Sequence, residues 1–154
     1  MEDDLEQFKN LGEFFYRKLK DNARPIHGSA EMVSPVDGTL LIKGKIDSGD
    51  EMIEQIKNVS YSVNALLGDR ETNYSSSKEK KLYYAVIYLA PGDYHRFHSP
   101  ASWKMSSLRH FAGEMLSVSP WIVSKIPNLF VLNERIACLG EWSHGFFAFV
   151  PVIF

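Results

Sequence analysis

Two histidines three residues apart are the first candidates for chemistry in this chain. His95 and His98 lie in Ala90-Pro91-Gly92-Asp93-Tyr94-His95-Arg96-Phe97-His98-Ser99-Pro100, directly after the apolar run Leu82–Ala90. A strand at that run would give the side chains a rigid support. Three readings compete for the pair. His-x-x-His can chelate zinc, but a catalytic zinc site needs a third protein ligand, and spacing does not choose among Asp93, His110 and Asp37. In the second reading they are turn histidines that bond only to backbone. The third is acid–base work, in which an imidazole that titrates near neutrality is oriented by a carboxylate. Asp37, in Ser34-Pro35-Val36-Asp37-Gly38, is the best carboxylate because it sits in a tight turn at a strand start. Taken alone, an Asp-Gly pair that accepts positive φ reads simply as a turn.

The elements that must position these groups follow from periodicity. Leu5, Phe8, Leu11, Phe15 and Leu19 recur at three- and four-residue steps and predict an amphipathic helix. Asp3 and Asp4 suit its start, Arg17, Lys18 and Lys20 its end, and Pro25 forbids continuation. Its apolar stripe can dock on the domain or lie on a membrane surface. From Pro35 onward the pattern is one of short strands: Thr39–Ile46, Met52–Val59, Leu82–Ala90, Leu129–Leu139 and Gly145–Phe154. Leu82–Ala90 is almost continuously apolar, as in a strand buried on both faces. The polar stretch Asp69–Lys81 reads as a solvated, mobile loop. The expected fold class is α+β: an amphipathic helix over residues 1–24 and a β-rich single domain over 25–154, with no internal repeat.

Composition bounds what this domain does. A chain of 154 residues with 45% hydrophobic and 23% charged side chains is an ordinary globular size and mixture. A formal charge of −2 argues against a nucleic-acid partner, which favours a strongly basic face. One cysteine, Cys138, excludes an internal disulfide and a multi-cysteine zinc site. It reads as a buried thiol without catalytic use, and His110 and His144 as surface or packing residues. Trp103, Trp121 and Trp142 suit either a core or a lipid headgroup boundary. No apolar run approaches the ~20 residues that cross a bilayer, and the acidic start Met1-Glu2-Asp3-Asp4 resembles no targeting signal.

Taken together, the motifs resemble the pyruvoyl-dependent phosphatidylserine decarboxylases. Ser34-Pro35-Val36-Asp37-Gly38, Tyr88-Leu89 with the histidine block, and Asn133-Glu134-Arg135 stand in that family's order. The leading Leu5–Phe15 segment and the closing Trp142-Ser143-His144-Gly145-Phe146-Phe147 resemble its animal mitochondrial members. The resemblance implies a proenzyme that cleaves itself at a Gly-Ser bond and leaves a pyruvoyl group on the new chain end. His98 matches the base that activates the serine, and Asp37 the acid that orients it. His95 matches the position that meets substrate or returns a proton to the α-carbon. The pyruvoyl carbonyl condenses with the amine of phosphatidylserine and takes up electrons as carbon dioxide leaves, giving phosphatidylethanolamine.

The cleavage motif, Leu-Gly-Ser-Thr in type, is absent from these 154 residues. Only Gly28 precedes a serine, Ser29, and it lies before Asp37, in the wrong order. The sequence therefore reads as incomplete at the C-terminus: a large-chain part or partial form that is inactive alone, with pairing to a separate small chain carrying the pyruvoyl end as a variant of that reading. The resemblance further implies a phospholipid surface as partner, the mitochondrial inner membrane as location, and a homodimer as an option. The competing reading is a non-catalytic lipid-binding or dimer-forming paralogue. The apolar ending Gly145–Phe154, with Pro151 interrupting its ladder, is expected to leave an unpaired hydrophobic edge and poor solubility. Size-exclusion chromatography and thermal melting check this; a monomeric, cooperatively melting sample contradicts it.

Overall fold

In the computed structural model, which describes residues 6–46, 52–56, 59–68 and 81–153, the first helix is shorter than its periodicity predicts. This helix, α1 (Leu11–Phe15), starts at Asn10, whose extended backbone breaks the stripe. Asn10 Oδ1 accepts from Glu13 N–H at 2.9 Å, and Glu13 Oε2 accepts from Lys9 N–H at 3.0 Å. That reciprocal capping satisfies donors that a helix start leaves open. The cap expected at Asp3 and Asp4 lies outside the described residues.

The chain is α+β and rich in strand. After α1 come β1 (Thr39–Ile46), β2 (Met52–Ile56), β3 (Val59–Ser62), α2 (Val63–Leu67), β4 (Leu82–Tyr88), β5 (Trp103–Phe111), α3 (Pro120–Val123), α4 (Leu129–Leu132), β6 (Arg135–Trp142) and β7 (Gly145–Phe149). They form the pairs β1-β4 and β2-β3 and the three-stranded sheet β5-β6-β7. Two compact units are distinguished: Met1–Thr39 with Ile87–Ser102, and Leu40–Val86 with Trp103–Phe154.

Three sequence expectations need correction. The run Met52–Val59 is not one strand; β2 and β3 pair antiparallel, with Met52 opposite Ser62 and Ile56 opposite Val59. Leu82–Ala90 is not buried on both faces: β4 ends at Tyr88, alternates in burial and leaves Tyr83 68% exposed. With β1 as its strand partner, β4 belongs to a two-stranded ribbon, which cannot cover both faces. Leu129–Leu139 divides into α4 and β6, because Asn128 adopts a left-handed φ of 59° and its carbonyl accepts from Val131 and Leu132 N–H. A short apolar run cannot separate a buried helical turn from a strand by periodicity alone. The expected loop Asp69–Lys81 lies, apart from Lys81, outside the described residues.

In the second unit, buried polar side chains tie the short elements together. Gln55 Nε2 donates to Val123 O and Ile126 O, and its Oε1 accepts from Leu129 N–H. Asn133 holds Leu116 at both its N–H and its carbonyl, and also reaches Ile153 O. Arg135 donates to Ala65, Leu66 and Val131 carbonyls while its guanidinium lies 4.2 Å over the Phe111 ring. Between them Glu134 pairs with His110 at 2.8 Å. Asn133-Glu134-Arg135 is thus a bonding node rather than a reactive centre.

The sheet β5-β6-β7 explains the closing segment. Trp103 and Trp142 are half-buried and pack against Phe147, whereas Trp121 is 68% exposed. His144 lies edge-on to Trp142, and Cys138 is half-buried, with desolvation pushing its pKa up. β7 is the sheet's edge. Ile136 N–H donates to Pro151 O and Ile153 N–H to Glu134 O, so the β6-β7 register resumes beyond Pro151. The proline removes one ladder bond and leaves the register intact. Opposite Met105, at the bulge in β5, Gly140 admits no side chain, since an added Cβ would strike the Lys104 carbonyl. Gly140→Ala is expected to cost about 2 kcal/mol and lower the thermal midpoint by about 6 °C. Calorimetry checks it; an unchanged midpoint contradicts it.

Candidate active site

Within the first unit, two backbone bonds bring the Asp37 turn and the histidine block side by side. Val33 N–H donates to Pro100 O and His98 N–H to Pro35 O, both at 2.8 Å. The spacing is that of an antiparallel ladder with Val33 opposite Pro100 and Pro35 opposite His98. Each such pair would normally exchange two bonds. Here each keeps one, because the reciprocal donor would be a proline nitrogen. The two segments are therefore held in register without forming strands. Gly38 continues this close approach: its φ is not positive, contrary to the turn reading, but an added Cβ would lie 2.6 Å from Tyr88 O.

The histidine block is itself braced. Asp93 N–H donates to Ala90 O and Asp93 Oδ2 accepts from Ala90 N–H, both at 2.8 Å, which closes the Ala90-Pro91-Gly92-Asp93 turn. Arg17, 5% exposed, donates to Phe14 O, Gly92 O and Asp93 O and lies over the Phe14 ring at 4.3 Å. Arg96 Nε donates to Tyr16 O at 2.6 Å. These bonds fix α1 to the turn by charge-assisted contacts, stronger than neutral ones. The basic residue expected to favour a helix end instead turns inward.

His95 sits half-buried against Phe15, with ring centroids 3.8 Å apart. Its Nδ1 donates to Asp93 O at 2.9 Å, which assigns the proton to that nitrogen. His98 is exposed, stacks on Tyr94 with 15° between the rings, and its Nε2 meets the Tyr94 hydroxyl at 2.9 Å. Asp37 is held by Arg24: Nε reaches Oδ1 at 3.0 Å and Oδ2 at 2.9 Å, and Nη2 reaches Oδ2 at 2.6 Å. First that hydrogen bonding, then the Coulombic attraction, raises the Arg24 pKa above its ordinary value. Among the described residues, no hydrogen bond joins Asp37 to His98. Nor does any group of three His, Cys, Asp or Glu side chains gather to hold a metal, and Asp93 is engaged with backbone.

Residues 11–153 match the sequence model of the family described as phosphatidylserine decarboxylase. The chain belongs to the phosphatidylserine decarboxylase family. The phosphatidylserine decarboxylase proenzyme, mitochondrial, of Rattus norvegicus is 42% identical over 167 residues, covering 97% of this chain and 41% of its own length. The protein of the same name from Caenorhabditis elegans is 47% identical over 149 residues, with 97% and 38% covered. Phosphatidylserine decarboxylase proenzyme 1, mitochondrial, of Schizosaccharomyces pombe is 36% identical over 221 residues, with 97% and 50% covered. The chain thus spans between 38 and 50% of the length of these relatives. Arg24, Arg17 and Tyr94 are the site's contributors that spacing did not announce. Only Tyr94, four residues from His98 in the same block, offered a signal.

Proposed function

We propose that this chain is the large-chain part of a pyruvoyl-dependent decarboxylase acting on phosphatidylserine, with residues 25–154 as the decarboxylase domain. The observation that carries the reading is the backbone register that sets His98 beside the Asp37 turn. The Tyr94 hydroxyl at 2.9 Å from His98 Nε2 has the geometry that a serine hydroxyl needs for deprotonation. His98 is exposed, so a serine hydroxyl delivered from another chain segment can take the place of the Tyr94 hydroxyl at its Nε2. These features suit a serine-derived prosthetic group. When present, a pyruvoyl group supplies the electrophilic carbonyl that takes up the electron pair as carbon dioxide departs. His98 takes the serine proton, Asp37 orients His98, and His95, its Nδ1–H engaged with Asp93 O, meets substrate or, once its Nε2 has taken up a proton, returns that proton to the α-carbon. The product is phosphatidylethanolamine.

The partners are phosphatidylserine in a phospholipid surface, a small chain carrying the pyruvoyl end, and a second copy in a homodimer. No nucleic acid is involved. Leu11 and Tyr16 are 79% and 59% exposed around α1, a surface compatible with lipid. The relatives are named mitochondrial, and the inner membrane is the proposed location. No helix among the described residues is long and apolar enough to cross a membrane.

The test is a chimaera in which residues 1–154 continue into the C-terminal remainder of the Caenorhabditis elegans relative. Cleavage is read on a denaturing gel, and carbon dioxide is collected from carboxyl-labelled phosphatidylserine. The chimaera cleaves and decarboxylates, whereas the 154 residues alone release nothing. A folded chimaera that does neither, beside an active parent, overturns the reading. Liposome flotation without turnover then supports a non-catalytic lipid-binding protein, the reading that the exposed Leu11 and Tyr16 favour.

A further inference from the structure

The Arg24–Asp37 pair stands beyond what the decarboxylase reading requires. A carboxylate offers about four lone-pair sites, and Arg24 makes three contacts with this one. Oδ2 takes two of them; Oδ1 takes a single contact from a nitrogen that it shares with Oδ2. Oδ1 therefore keeps capacity for another donor. The guanidinium is itself fixed, because its Nη1 donates to Ala23 O at 2.8 Å. Pro25 follows directly and restricts the backbone of Arg24. Bonded to the same turn through its N–H to Pro35 O, His98 uses Nε2 toward Tyr94, and its Nδ1 has no hydrogen-bond partner among the described residues. The motif thus holds an anchored cation, a clamped carboxylate with one oxygen in reserve, and an imidazole with one nitrogen in reserve.

We propose that Arg24 is a positioning residue: it clamps the Asp37 carboxylate so that Oδ1 can accept from His98 Nδ1–H when a serine takes the place of Tyr94 at Nε2. This rests on the decarboxylase reading. An Asp side chain that is 31% exposed would otherwise rotate and hydrate freely. Fixing it in advance removes that disorder from the reaction. The pair itself is too exposed to matter much for stability: the Arg24 side chain is 60% exposed, and such pairs contribute little.

The experiment is a double-mutant cycle on the self-cleavage rate of the chimaera. Arg24→Ala is expected to slow cleavage about a hundredfold with an unchanged thermal midpoint. In an Asp37→Asn background the same change costs less than about threefold, because the group on which it acts no longer needs clamping. Arg24→Lys, which keeps the charge but not the fork, recovers part of the rate. Equal losses in both backgrounds overturn the proposal, as does an Arg24→Ala rate that is unchanged or faster. A second readout stands apart from activity. In the 154-residue chain, the Arg24 Nε–H proton is expected to exchange slowly by NMR, and to exchange fast in Asp37→Asn. Fast exchange in the unmutated chain overturns the proposal even if the chimaera is inactive. Conversely, an Asp37→Asn chimaera that cleaves at the unmutated rate overturns the proposal and leaves the decarboxylase reading standing, whereas a folded, unmutated chimaera that does not cleave sinks that reading itself.

Discussion

His98→Ala is expected to slow self-cleavage of the chimaera about ten-thousandfold, equivalent to about 5.5 kcal/mol of barrier. The argument rests on what the substitution leaves in place. The register between the two motifs runs through the His98 main-chain N–H to Pro35 O, which alanine retains. The side chain contributes one hydrogen bond and one ring contact, both to Tyr94, at an exposed position. Losing them costs about 1 kcal/mol of stability, far less than the expected loss in rate. Slow cleavage in a protein that still melts normally therefore assigns the defect to proton transfer. His98→Gln keeps a hydrogen-bonding side chain without a base and is expected to be equally slow. Cleavage within tenfold of the parent rate moves the base elsewhere, and His95 becomes the next group to replace.

Legibility in the sequence followed the range of the interaction. The strand at Thr39–Ile46 and the start of β4 at Leu82 were readable because turn residues bound a run of β-formers. The extent of α1 was not, because the cap chemistry of Asn10 and Glu13 outweighs an apolar stripe when packing does not extend the helix. Leu129–Leu139 failed for a different reason: Asn128 and the burial of Leu129 set a helical turn, and neither is visible as a period. In the site, the resemblance named Asp37, His95 and His98, and the fold brings their segments together in one unit. Tyr94 apart, their side-chain and bracing partners were invisible. Arg24 reaches Asp37 across 13 residues, and Arg17 reaches Gly92 across 75. A guanidinium at such separations carries no spacing that reveals its target. Pro35 and Pro100 were visible as breakers, yet their effect was to halve a ladder rather than to prevent one.

Arg135→Met is expected to destabilise the second unit by about 3 kcal/mol, lowering the thermal midpoint by about 10 °C. The sign is not obvious, because a buried cation that meets no carboxylate among the described residues carries a desolvation cost, and burial lowers the Arg135 pKa accordingly. Methionine relieves that cost and fills much of the volume. Against it stand three hydrogen bonds of 2.7 to 2.9 Å to Val131, Leu66 and Ala65 carbonyls, each charge-assisted. Two of those carbonyls belong to the last turn of α2, where backbone acceptors have no partner within the helix and the dipole favours a cation. Their loss strands acceptors in a region where Arg135 is only 5% exposed, and it removes the guanidinium from the Phe111 face. Three stranded acceptors outweigh one relieved charge. Arg135→Lys discriminates the causes: an ammonium restores the charge but cannot reach three diverging carbonyls, so it recovers about half of the loss. Full recovery by lysine would show that charge alone matters, and a methionine variant as stable as the parent would show that the desolvation cost cancels the bonds.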